Sequence, residues 1–130
     1  MLNLNVKTIG TVESRLTRRE DCPLQGDEGG TEAWLNINEE YIEATDGINA
    51  GMEVILITWL HLADRNVLKC YPRNDVNAPH VGVFKTRSPD RPNPLGLHPV
   101  KILAVQGARL KVYPLEAVDG TLLIDIKPSL

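Results

Sequence analysis

Arg87, Asp90, Arg91 and Asn93 are polar side chains suited to recognition, and all four fall within Thr86-Arg87-Ser88-Pro89-Asp90-Arg91-Pro92-Asn93-Pro94-Leu95-Gly96-Leu97-His98-Pro99. Each guanidinium can grip a carboxylate or phosphate with a planar fork, and the asparagine amide offers both a donor and an acceptor. The stretch holds four of the chain's nine prolines. Each proline fixes its own φ and biases the residue before it toward extended backbone, so Ser88, Arg91, Asn93 and His98 are all restricted. The amides missing at 89, 92 and 94 make a poor phosphate nest, unlike a glycine-rich nucleotide loop. Recognition here rests on side chains and carbonyls, and Gly96 permits a close backbone approach. The alternative reading is a structural crossover whose arginines pair with Asp90 or with an acidic segment elsewhere.

Other site chemistries are poorly represented. His61, His80 and His98 with Cys22 and Cys70 show no paired zinc spacing, so no metal is expected, and two cysteines read as free thiols. There is no dinucleotide fingerprint and no Walker loop. Ser88, His98 and Asp119 make a hydrolytic triad only on paper, because no nucleophile elbow surrounds the serine and Pro89 removes the following amide. His61 closes an apolar run and reads either as a structural residue or as a ligand contact.

The elements that position these residues are mostly strands. Residues 6–12 read as a first strand and residues 13–30 as a polar loop whose arginines pair with neighbouring acids. Residues 31–38 alternate as a half-buried strand, and 39–45 suit a short helix stopped by Asp46-Gly47. Both alternating sets of residues 52–62 are mainly apolar, which predicts a strand buried on both faces. Residues 64–79 read as a loop, 81–86 as a short apolar strand, 100–106 and 108–113 as a hairpin around Gly107, 114–120 as a connector, and 121–127 as the last strand. Such a chain is all-β, an antiparallel barrel or sandwich with one short helix and long loops.

At 130 residues and 42% hydrophobic content, one domain over residues 1–130 is expected. No apolar run approaches the roughly 20 residues that span a bilayer, and the N-terminus lacks a signal pattern, so a soluble cytoplasmic protein is expected. The net charge of −3 argues against simple coating of nucleic acid. Residues 27–46 hold seven acids and no Lys or Arg, which leaves +4 on the remainder (−3 minus −7), an acidic patch beside a mildly basic face.

Gly82-Val83-Phe84, Thr86-Arg87-Ser88-Pro89, Arg91-Pro92-Asn93-Pro94, Leu95-Gly96-Leu97, Val118-Asp119-Gly120-Thr121 and Asp125-Ile126-Lys127-Pro128 closely resemble the motifs of the TsaA-like (TrmO) family. Ile9-Gly10-Thr11-Val12 and residues 41–48 are weaker echoes of its N-terminal half. The resemblance implies a small antiparallel β-barrel, a homodimer with the cofactor near the subunit interface, and S-adenosylmethionine-dependent methylation of N6 of threonylcarbamoyladenosine in tRNA. It implies cofactor contacts at Arg87, Leu97, His61 and Gln25, and in the segment Leu115-Glu116. Arg87 or Arg91 would hold the methionine carboxylate. Asn93-Pro94 is locally similar to the Asn/Asp-Pro element of unrelated N6-adenine methyltransferases, which suggests that Asn93 and Arg91 serve the catalytic step.

The departures from the family pattern fall on surfaces that would meet substrate. Pro23-Leu24-Gln25 stands where many members have Pro-Arg-Gln, Gly51-Met52-Glu53-Val54-Ile55 replaces a Phe-Ser-His-Leu-Trp segment, and Lys85 stands where alanine is usual. A basic Arg-Pro-Pro-Arg region is missing from residues 64–79, and the chain ends at Leu130 without the C-terminal extension of longer bacterial members. Two other outcomes remain open: a methyltransferase acting on a small-molecule acceptor, and a non-catalytic S-adenosylmethionine-binding module.

Overall fold

The computed structural model describes residues 3–24 and 26–130. Its strands are β1 (Gly10–Glu13), β2 (Thr31–Ile37), β3 (Glu53–Trp59), β4 (Lys69–Cys70), β5 (Val81–Gly82), β6 (Leu95–Gln106), β7 (Arg109–Leu115) and β8 (Leu122–Pro128). Six of them close an antiparallel barrel in the order β1-β2-β7-β6-β3-β8, with β8 returning to β1. β4 and β5 form a separate two-stranded ladder. Of the two architectures compatible with the sequence, the closed barrel is the one formed, and closure leaves no barrel edge strand exposed along its whole length.

Period-two alternation builds the interior. Ala33, Leu35 and Ile37 of β2 point inward, as do Val54, Leu56 and Thr58 of β3, while Glu32, Trp34 and Asn36 face out. Val100 and Ile102 of β6, Leu110 and Val112 of β7, and Leu123 of β8 complete the core. β1 starts at Gly10, later than the expected residue 6. Gly10 lies so close to β2 that a side chain there would strike the backbone of Asn36.

β3 corrects the expectation of burial on both faces. Val54, Leu56 and Thr58 are buried, but Ile55, Ile57 and Trp59 are only half-buried. The barrel wall is a single layer, so the outer side of β3 is covered only in part, as by Arg65 over the Trp59 ring. Residues 39–45 do wind up, as a 3-10 helix without a side-chain cap at Asn38. The short strand expected over 81–86 stops at Gly82 and continues as a 3-10 turn, Val83–Lys85. The loop expected over 64–79 contributes β4, which pairs with β5.

The largest correction concerns β6, which begins at Leu95, well before the expected residue 100. Leu95, Gly96, Leu97, His98 and Pro99 are thus strand residues, in register with Trp59, Thr58, Ile57, Leu56 and Ile55 of β3. A proline survives there because β7 joins β6 only from Lys101 onward. The Leu97 carbonyl is taken by a side chain, so it faces away from β3, and the nitrogen of Pro99, two residues on, faces the same free edge. The hairpin around Gly107 forms, with β7 extending through Pro114 to Leu115. Among the described residues, no helix is long and apolar enough to cross a membrane.

The inside and outside assignments predict unequal stability losses. Leu56→Ala, at a fully buried position, should cost about 2–5 kcal/mol in a denaturant melt. Phe84→Ala, where the ring is 83% exposed, should stay within about 0.5 kcal/mol of wild type. Equal losses would contradict this placement of the two side chains.

Candidate functional site

The proline-rich loop keeps its shape through its carbonyls. Arg91 Nη1 donates to the carbonyls of Thr86 (3.0 Å) and Ser88 (2.9 Å), closing the first half of the loop on itself. Arg65 reaches in from the β3–β4 connection: its Nε donates to the Pro92 carbonyl at 2.7 Å and its Nη2 to Asn93 Oδ1 at 3.3 Å. Its guanidinium also lies over the Trp59 ring, 4.9 Å from the centroid. The Leu60 amide donates to the Pro94 carbonyl at 2.9 Å, carrying the β3–β6 pairing into the loop. Prolines withhold amide donors, so arginines and the Leu60 amide supply them instead.

Asp90 anchors the loop to the rest of the chain. It accepts from the Asp64 amide at 2.8 Å and pairs with Arg19 at 3.0 Å, while Arg19 also donates to the Leu62 carbonyl. Arg18 pairs with Asp21, whose hydrogen bond and charge raise its pKa above the ordinary guanidinium value, so arginines of the N-terminal loop do pair with acids. The loop's own arginines do not pair with Asp90. Arg91 is spent on carbonyls, and exposed Arg87 donates from Nη2 to the Leu97 carbonyl at 3.3 Å.

Under the free edge of β6, the sequence reading missed a polar group inside the barrel. His98 is 4% exposed, its Nδ1 bonds Glu116 Oε1, and its Nε2 lies 2.7 Å from Thr58 Oγ1. Glu116 Oε2 is buried and has no hydrogen-bond partner among the described residues. The paper triad of Ser88, His98 and Asp119 does not assemble, since His98 is engaged as above and Asp119 accepts from the Ser14 amide. One signal was available in the sequence: with β6 extended back to residue 95, His98 falls on the same inward face as Val100 and Ile102.

The expected site residues are therefore unevenly placed. Arg87, Leu97, Arg91 and Asn93 gather at the loop and the entry of β6. His61 is exposed in the turn that follows β3, next to Leu62, whose carbonyl Arg19 holds. Leu97 is 51% exposed on the outer wall. Leu115 is fully buried in the core, which leaves only its backbone for a ligand, whereas Glu116 turns inward to His98. Gln25 lies outside the described residues. No group of three or more metal-ligating side chains converges among the described residues.

Cys22 reports on Glu116. Both cysteines are free, and burial pushes the Cys22 thiol up, with Glu116 and Asp21 adding to the shift and Arg19 opposing it. Glu116→Gln removes a negative neighbour, which should lower that pKa and speed alkylation of Cys22 at fixed pH. An unchanged rate would mean that the carboxylate does not act on the thiol.

The fold and sequence have known relatives. The family model described as tRNA-methyltransferase O N-terminal domain matches residues 11–130. A Methanothermobacter thermautotrophicus protein named "Probable S-adenosyl-L-methionine-binding protein" is 41% identical over 127 residues, covering 98% of this chain and 90% of its own length. An Archaeoglobus fulgidus "S-adenosyl-L-methionine-binding protein" is 39% identical over 122 residues, covering 94% of this chain and 86% of its own. A crystal structure of TrmO superposes with a TM-score of 0.79 at 26% identity, covering 100% of this chain and 57% of that one. The chain thus spans little more than half the length of that solved TrmO. With the family model matching from Thr11 to the last residue and the barrel superposing throughout, this chain belongs to the TrmO family through its N-terminal domain.

Proposed function

We propose that this chain is a cytoplasmic, one-domain S-adenosylmethionine-dependent methyltransferase whose acceptor is N6 of threonylcarbamoyladenosine in tRNA. The observation that carries the reading is a pair of opposite charges beside the stretch of β6 that β7 leaves unpaired. Arg87 is exposed there on the Leu97 carbonyl, and Glu116 keeps one buried oxygen uncommitted among the described residues. The methionine part of the cofactor is a zwitterion next to a sulfonium, so a guanidinium for its carboxylate and a carboxylate for its cationic groups fit its chemistry. Leu95 and Leu97, both about half exposed beside Trp59, supply apolar surface for the adenosyl part. Family membership and the names of the archaeal relatives support the same cofactor.

When bound, the cofactor supplies a methyl group on sulfonium sulfur that leaves a neutral thioether behind. The protein's task is then alignment and exclusion of water more than acid or metal chemistry. Arg87 is the better candidate for the carboxylate, because Arg91 already holds two loop carbonyls and serves to keep the loop in shape. Asn93 is exposed, and its Oδ1, steadied by Arg65, retains a lone pair that can accept an N–H of the acceptor amine. His61, and Gln25 in the N-terminal loop, are proposed as further cofactor contacts, with Leu115 contributing backbone only.

The same reading includes a homodimer. The outer wall of β3 and β6 carries the paired rows Trp59–Leu95, Ile57–Leu97 and Ile55–Pro99, an apolar sheet face. Because Leu97 belongs both to this face and to the proposed cofactor contacts, a second copy docked there would help enclose the cofactor. A second reading, a cofactor-binding module without transfer, is favoured by the relatives' names, which state binding alone.

Calorimetric titration of S-adenosylmethionine into the full chain should show binding, weakened about 10- to 100-fold by Arg87→Ala. Methyl transfer to total tRNA should then be seen with wild type and be lost with Asn93→Ala. Binding without transfer to tRNA or to small acceptors would favour the binding module, and absence of binding by the wild type would sink the cofactor reading. In sedimentation, wild type should run as a dimer and Ile57→Glu as a monomer; a wild-type monomer would remove the dimer from the proposal.

A further inference from the structure

Thr58, His98 and Glu116 come from three separate parts of the chain and meet inside the barrel, behind the edge to which the cofactor was assigned above. Thr58 is wholly buried and His98 4% exposed. A carboxylate can only accept, so Nδ1–H of the ring donates to Glu116 Oε1, and in the neutral ring Nε2 accepts the Thr58 hydroxyl proton at 2.7 Å. With both nitrogens committed, the ring cannot turn over without losing two buried hydrogen bonds.

The surrounding backbone makes room for this arrangement. A Cβ at Gly96 would stand 2.6 Å from both His98 Nε2 and Thr58 Oγ1, and a Cβ at Gly26 would stand 2.6 Å from Glu116 Oε2. Two glycines thus border the ends of the chain of bonds. What remains unsatisfied is Glu116 Oε2, buried without a partner among the described residues. Such an oxygen is costly to leave unmet and would ordinarily rotate toward any available donor.

We propose that His98 and Thr58 are positioning residues that act through Glu116: the imidazole, fixed by the threonine hydroxyl, holds one carboxylate oxygen so that the other stays uncommitted for the cationic part of the ligand. The proposal rests on the cofactor reading above and adds two residues to it, neither of which touches the cofactor. His98 sets the carboxylate's direction, and Thr58 sets the ring's.

The test compares Thr58→Val, which removes the hydroxyl at nearly constant shape, with Thr58→Ser, which keeps it, in the full chain. Thr58→Val should weaken S-adenosylmethionine binding by about tenfold, the size of one hydrogen bond within a charged network, and Thr58→Ser should bind within about twofold of wild type. Cooperative melting of both variants is the check on folding. Nitrogen-15 NMR of wild type should show a protonated, slowly exchanging His98 Nδ1, a readout that needs neither variant nor ligand. A folded Thr58→Val that binds like wild type would overturn the positioning role, as would an unprotonated Nδ1. If wild type binds no S-adenosylmethionine while the Nδ1 proton is present, the cofactor reading fails and the positioning role falls with it, leaving only the hydrogen bond to Glu116.

Discussion

Along β6 the backbone alternates faces at every residue, and its pairing with β3 sets which face each residue takes. Gly96, His98, Val100 and Ile102 go inward, and Leu95, Leu97, Pro99 and Lys101 go outward. A slip of one residue would send the imidazole into solvent and Leu97 into the core. The register is held by ladders on two sides: β3 runs beside β6 from Leu95 to Lys101, and β7 takes over the other side from Lys101 onward. The stretch paired on one side only is the stretch that Arg87 contacts. The barrel thus provides a rigid strand and an open edge in the same residues.

The loop before β6 illustrates how a proline-rich segment is fixed without amides of its own. Its carbonyls are met by Arg91 from within and by Arg65 and the Leu60 amide from the neighbouring connection. Charge-assisted bonds to carbonyls are stronger than neutral ones, and three prolines in the loop reduce the conformational entropy lost on ordering it. Asp90, held by Arg19 and the Asp64 amide, then ties the loop to the N-terminal segment. A surface loop built in this way can present Arg87 and Asn93 in a settled geometry.

The sequence was informative where local chemistry decides structure. The alternation of residues 31–38, the Gly107 hairpin and the final strand are legible because apolar and polar residues follow a strict period. The loop was legible as a stiff segment because proline chemistry is local, and its motifs carried the resemblance to the TrmO family. Three features were not legible. Pro99 masked the start of β6, since a proline argues against a strand unless its nitrogen faces an unpaired edge, and that edge exists only once β7 is placed. The apolar outer face of β3 read as doubly buried because composition does not distinguish a fully covered wall from a partly covered one. His98 was not connected to Thr58 or Glu116, which stand 40 and 18 residues away in the chain.

What the sequence determined alone is therefore the β-rich class, the stiff loop with its arginines and asparagine, and the family that those motifs mark. These follow from backbone restriction and from periodicity, which act over a few residues. What the tertiary structure decided is the closure of the barrel, the different carbonyl partners of Arg87 and Arg91, and the buried Thr58–His98–Glu116 group. Each of these depends on which distant groups become neighbours. A guanidinium takes whichever acceptor the fold brings to it, and an imidazole enters a core only where a carboxylate and a hydroxyl arrive from other strands to meet both of its nitrogens.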